Sequence, residues 1–72
     1  MALSLKGRQN RCVKLIQRCE DYYGRSIESP RIAKISITKI NKIAQKYILS
    51  GNVNFYYDLE IALARAFQGV KV

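Results

Sequence analysis

Apolar residues recur at Cys12, Leu15, Ile16, Cys19, Tyr22 and Tyr23, an i, i+3, i+4, i+7 spacing that predicts an amphipathic helix over about residues 7–23. Gly24 is suited to end it in the left-handed conformation. Residues 25–29 read as a connection, after which Ser29-Pro30 offers an N-cap followed by proline at the first helical position. A second helix is therefore expected over about 31–49. Its start is open: Ile35-Ser36-Ile37-Thr38 alternates as a strand does, while Ser36 or Thr38 can cap a helix beginning there. Ser50-Gly51-Asn52 supplies a stop and a turn, and Asn52 or Asn54 can cap the next element. Phe55, Leu59, Ala62, Leu63, Ala66 and Phe67 mark a third helix over about 54–67, with Asp58 and Glu60 towards its start and Arg65 towards its end, as the helix dipole favours. Gly69 closes it, and the tail Val70-Lys71-Val72 is too short to assign. The pattern predicts an all-α fold, a small bundle of three main helices in which residues 1–72 form a single domain.

Length limits what such a bundle can do. A chain of 72 residues buries only roughly 60% of its unfolded surface, which leaves little room for a deep private cleft. Hydrophobic residues at 49% and charged residues at 25% are the balance of a globular chain and not of a disordered one. The small core makes self-association or incorporation in a larger complex an expectation. Cys12 and Cys19 are the two cysteines; on one helix they stand about 10 Å apart, beyond disulfide reach, so both are expected as reduced thiols packing as small apolar groups. Without histidine they fall short of a zinc site. Residues 1–8 lack the apolar run of a signal peptide, and no stretch is long enough to span a bilayer, which predicts a soluble cytoplasmic protein without membrane partners.

Charge changes the picture most. Thirteen Lys and Arg oppose five Asp and Glu, a net +8. Residues 1–50 hold eleven of the basic residues and three acids, whereas Arg65 and Lys71 balance Asp58 and Glu60 in the remainder. At about 100° per residue, Arg11, Lys14 and Arg18 fall within an arc of about 60°, and so do Lys39, Lys42 and Lys46. Each basic row adjoins an apolar arc: Cys12, Leu15, Ile16 and Cys19 in the first helix, Ile40, Ile43, Ala44 and Tyr47 in the second. If the arcs pack together, the rows can flank a common groove. Like charges three or four residues apart repel one another by a few tenths of a kcal/mol per pair, so such a row gains when an anion lies across it. Phosphate is the natural candidate, through counterion release that is independent of base sequence. Arg8, Arg11, Lys14, Arg18, Lys39, Lys42 and Lys46 are the expected phosphate-facing residues. The plainer alternative is that the rows are solvated faces serving solubility or an acidic protein partner.

Other constellations carry less. Tyr22 and Tyr23 end the first helix and Phe55, Tyr56 and Tyr57 open the third; such rings can stack on unpaired bases. A core without tryptophan, however, needs Phe55 and one tyrosine of each pair, which leaves Tyr23 or Tyr56 as the expected surface rings. No histidine, glycine-rich phosphate loop or paired carboxylates are present, since Glu20 and Asp21 are adjacent and diverge on a helix. An enzyme, a cofactor and a metal are therefore not expected. A helix-turn-helix reading of 37–67 has the wrong polarity: the helix after Gly51, which would enter the major groove, is the neutral one.

Residues 36–67, with Ser36-Ile37-Thr38-Lys39-Ile40 opening one helix and Tyr56-Tyr57-Asp58-Leu59-Glu60-Ile61-Ala62-Leu63-Ala64-Arg65-Ala66 in the next, resemble the small helical subunits of CRISPR RNA-guided surveillance complexes of the Cascade type. The resemblance implies a helical bundle present in several copies along a crRNA-guided assembly, holding the target or displaced DNA strand through Lys and Arg. Residues and resemblance together predict a non-catalytic subunit that binds single-stranded or hybrid nucleic acid by its backbone, alongside other subunits or copies of itself. The rival is an interaction protein, such as a phage or mobile-element regulator, that docks on an acidic protein surface. A cationic helical peptide acting on membranes is a third reading with less in its favour.

Overall fold

A computed structural model describes residues 4–69. The terminal segments 1–3 and 70–72, the unassigned tail Val70-Lys71-Val72 among them, lie outside the described residues. The architecture is a three-helix bundle: α1 (Leu5–Tyr23), α2 (Lys34–Ser50) and α3 (Val53–Gln68). It measures 42 × 21 × 16 Å. No described helix is long and apolar enough to cross a membrane.

Each boundary has a local cause. The Ser4 side chain accepts a hydrogen bond from the Gly7 amide at 3.1 Å, starting α1 two residues before the expected position. Gly24, at φ 68°, ends it in the left-handed conformation, and its amide donates to the Glu20 carbonyl at 2.8 Å. The Glu20 carboxylate also accepts from the Ile27 amide at 2.7 Å, so the chain is folded back as it leaves the helix.

Ser29-Pro30 does not start α2. Ile32 N donates to Ser29 O at 3.0 Å, closing a turn with Pro30 second, a position that suits proline's fixed φ as well as a helix start does. This turn sends Ile32 into the core, and α2 begins only at Lys34, after Ala33 in extended conformation and without a side-chain cap. Nor do Ser36 and Thr38 cap: both are helical, and the Thr38 hydroxyl donates back to Lys34 O at 3.1 Å. The strand-like alternation of 35–38 is thus overridden by helix. At the other end Gly51, at φ 71°, terminates α2, and the Asn52 side chain caps α3 by accepting from Asn54 N at 3.0 Å.

The tight Gly51-Asn52 turn makes α2 and α3 an antiparallel pair, the most extensive helix contact in the molecule, and α1 lies across both. The core takes Cys12 and Leu15 from α1, Ile32 from the connection, Ile40 and Tyr47 from α2, and Tyr56, Leu59, Leu63, Ala66 and Phe67 from α3. Ile16, Cys19, Ile43, Ala44, Phe55 and Ala62 pack partly buried around it. Both cysteines are free thiols, as their spacing requires.

The tyrosines sort differently from the sequence expectation. Tyr56 is buried because it precedes Leu59 and Leu63 by three and seven residues, on their own arc, and its ring meets that of Tyr47 at 5.3 Å. Tyr23 turns inward and stacks on Phe67, ring centroids 5.3 Å apart and 7° from parallel, while its hydroxyl accepts from Gln68 Nε2 at 3.1 Å. The surface rings are therefore Tyr22 and Tyr57, not Tyr23 and Tyr56.

Leu63 is completely buried between the helices. Replacing Leu63 by Ala is expected to cost about 3 kcal/mol in lost burial and residual cavity. In a domain this small that lowers the thermal midpoint by more than about 10 °C, as followed by circular dichroism.

Candidate nucleic-acid interface

The basic rows come out of the helix phases that the core imposes. With Cys12 and Leu15 inward, Arg11, Lys14 and Arg18 emerge on the flank of α1 next to α3, where Arg18 lines a shallow groove with Glu60 and Ala64. With Ile40 and Tyr47 inward, Lys39, Lys42 and Lys46 emerge on the flank of α2 away from α1, and Lys39 lines a second groove with Asp58, Ile61 and Arg65. Ile16, by contrast, shares a groove with Ile37 and Asn41 on the other side of α2. The rows therefore do not flank one groove between α1 and α2. Each row instead reaches a different groove through one residue, Arg18 or Lys39, and both grooves are bordered by α3, which packs against α1 with one side and against α2 with the other.

The seven expected residues divide by what they touch. Arg8 is half-buried, and its Nε donates to the Ile48 carbonyl at 2.7 Å. That oxygen belongs to the last turn of α2, where carbonyls lack helical partners and the dipole is negative, so the guanidinium of one helix caps the end of another. Arg11 stays exposed, yet its Nη1 donates to the Tyr47 hydroxyl at 3.3 Å and its guanidinium carbon stands 4.2 Å from the centre of the Tyr56 ring. The Tyr47 hydroxyl is the main reason its pKa lies above the usual arginine value. Lys14 and Arg18 are exposed beyond it. In α2, Lys39, Lys42 and Lys46 are all exposed on one face.

Three residues of α3 enter the site that the linear pattern did not offer. Arg65, read from sequence as a dipole partner, joins Lys39 at the α2–α3 groove, and Asp58 borders the same groove. On the opposite side Glu60 faces Arg18. Both act on the half-buried Cys19 thiol, whose pKa is raised first by burial, lowered by Arg18 and raised again by Glu60. Cys12 is likewise raised by burial against a lowering by Arg11. Both thiols are accordingly protonated at neutral pH and poor nucleophiles. Among the described residues no three His, Cys, Asp or Glu side chains gather as metal ligands would. The arrangement can hold an extended anion along a row of cations.

Compared with family models, with characterised proteins and with solved structures, the chain finds no match.

Arg8 gives this geometry a stability test. Arg8→Ala is expected to lower the unfolding free energy by about 1–2 kcal/mol, from a lost charged hydrogen bond and helix-end charge. Lys42→Ala, on an exposed face, is expected to stay within about 0.5 kcal/mol of the parent. Urea titrations of the two variants check the contrast.

Proposed function

We propose that the protein is a non-catalytic nucleic-acid-binding subunit that holds a phosphate backbone along the outer face of α2, independently of base sequence. The observation that carries this reading is the exposed row Lys39, Lys42 and Lys46, continued across the groove by Arg65, in a molecule of net charge +8. Lys42 and Lys46 are separated by about 6 Å along the helix axis, close enough for each to meet its own phosphate on an extended strand. The α1 row is the secondary contact, because Arg8 and Arg11 already serve the bundle and Arg18 faces Glu60. The resemblance of residues 36–67 supplies a setting for this chemistry: a small subunit of a CRISPR surveillance complex, steadying target or displaced DNA through the same lysines.

A second reading has one observation in its favour. Ile35 and Leu49 are exposed and lie seven residues either side of Lys42, so the outer face of α2 alternates apolar and cationic groups, which also suits an acidic protein surface.

Salt dependence separates the two. Binding of random-sequence single strands by the purified protein is expected to fall steeply as salt rises from 50 to 200 mM, on the order of a few phosphates' worth of counterions. Lys42→Ala is expected to weaken it on every sequence and to reduce the slope of log affinity against log salt by about one. An unchanged slope removes Lys42 from the contact, and no binding without a protein partner favours the docking reading.

A further inference from the structure

Once the core is filled, α3 still presents large apolar groups to water. Val53, Tyr57 and Ile61 recur every four residues and are 43%, 56% and 52% exposed. The spacing puts them on one line along the outer side of the helix, with Ala64 continuing it. This line runs between the two grooves already described, so it has cations on both margins: Lys39 and Arg65 on the α2 side, Arg18 on the α1 side, with Asp58 and Glu60 interspersed. Of the other tyrosines, Tyr47 and Tyr56 are buried and Tyr23 is stacked on Phe67, while Tyr22, the second exposed ring, stands off this line at the end of α1, in the groove with Arg18. Tyr57 meets the Tyr56 ring in an edge-type contact, centroids 6.4 Å apart at 67°, that leaves more than half of Tyr57 exposed.

We propose that this line on α3 is a stacking surface for unpaired bases, with Tyr57 as the ring that receives them, so that the protein prefers single-stranded nucleic acid to duplex. The inference rests on the reading that the α2 row holds a backbone and adds what lies beside that backbone. Charge complementarity selects the occupant. A strand with flat apolar bases along one side and phosphates along the other matches an apolar line bordered by cations. A second copy of this chain does not, because face-to-face contact brings two molecules of charge +8 together along their basic margins. A duplex keeps its bases stacked inside and offers Tyr57 no flat face, whereas base–aromatic stacking tolerates any sequence, in keeping with a backbone-holding protein.

The experiment compares three ligands of equal phosphate count at low salt by fluorescence anisotropy: a labelled oligothymidylate, a thymidylate–adenylate duplex of half its length and an abasic strand. The parent is expected to bind the oligothymidylate about tenfold or more tighter than the abasic strand, and tighter than the duplex. Tyr57→Ala removes that preference and leaves abasic binding unchanged; Tyr57→Phe, which keeps the ring, retains it. Because Tyr57 is exposed, circular dichroism of Tyr57→Ala is expected to match the parent, and Ile61→Ser, a smaller change on the same line, gives a partial loss. Equal affinity of the parent for the oligothymidylate and the abasic strand, or equal losses on both in Tyr57→Ala, overturns the stacking surface while leaving backbone binding in place. Absence of binding to all three overturns backbone binding itself, the stacking surface with it, and points to a protein as the occupant.

Discussion

The packing of α1 on the α2–α3 pair decides where its basic row emerges, and two arginines tie that packing down at one end. Apolar contacts between α1 and the α2–α3 pair come from a few residues, Cys12 and Leu15 chief among them, and such contacts are tolerant of small turns of a helix. Hydrogen bonds are not. Arg8 reaching the Ile48 carbonyl and Arg11 held between the Tyr47 hydroxyl and the Tyr56 ring fix the N-terminal half of α1 over the point where α2 gives way to α3. The inward phase of Cys12 and Leu15 brings Lys14 and Arg18 out beside α3, and these directional contacts reinforce it.

Charge in this molecule consequently has two uses that the sequence writes in the same letters. Arg8, Arg11, Lys14 and Arg18 form a continuous basic series on one helix, yet the first two neutralise structural needs of the bundle, a bare helix end and a pair of buried tyrosines, while the latter two remain solvated. The α2 series has no such division. Its exposed lysines have long flexible stems and compact charges, suited to tracking an anion, whereas guanidinium groups, planar and multidentate, sit at the sites where geometry is demanded.

Helix order and number were legible because the apolar period, Gly24, Gly51 and Asn52 all act within one turn of the chain. What was illegible depended on partners distant in sequence. Ser29-Pro30 satisfies a helix start and a turn equally well, and only the burial of Ile32 decides for the turn. Tyr56 and Tyr57 are neighbours of one chemistry; the phase set by Leu59 and Leu63 chooses between them, and starting the apolar arc at Phe55 shifts that phase by one residue. The seven candidate cations could be read from a helical wheel, but their division between two grooves could not, since a wheel shows one helix at a time and the dividing element, α3, reads as neutral. Arg65 escaped for the same reason: its companion Lys39 lies on another helix.

Gly51 ties these themes to heredity. Its φ of 71° favours a residue without a side chain, and a methyl group there would stand 3.2 Å from the Arg8 guanidinium. A lineage that replaced this glycine would disturb the hairpin and the arginine docked upon it in one step. Positions 8 and 51, far apart in the chain, thus share one small volume, yet shortening residue 8 would relieve the crowding alone, since the positive φ disfavours a side chain at 51 whatever stands opposite it.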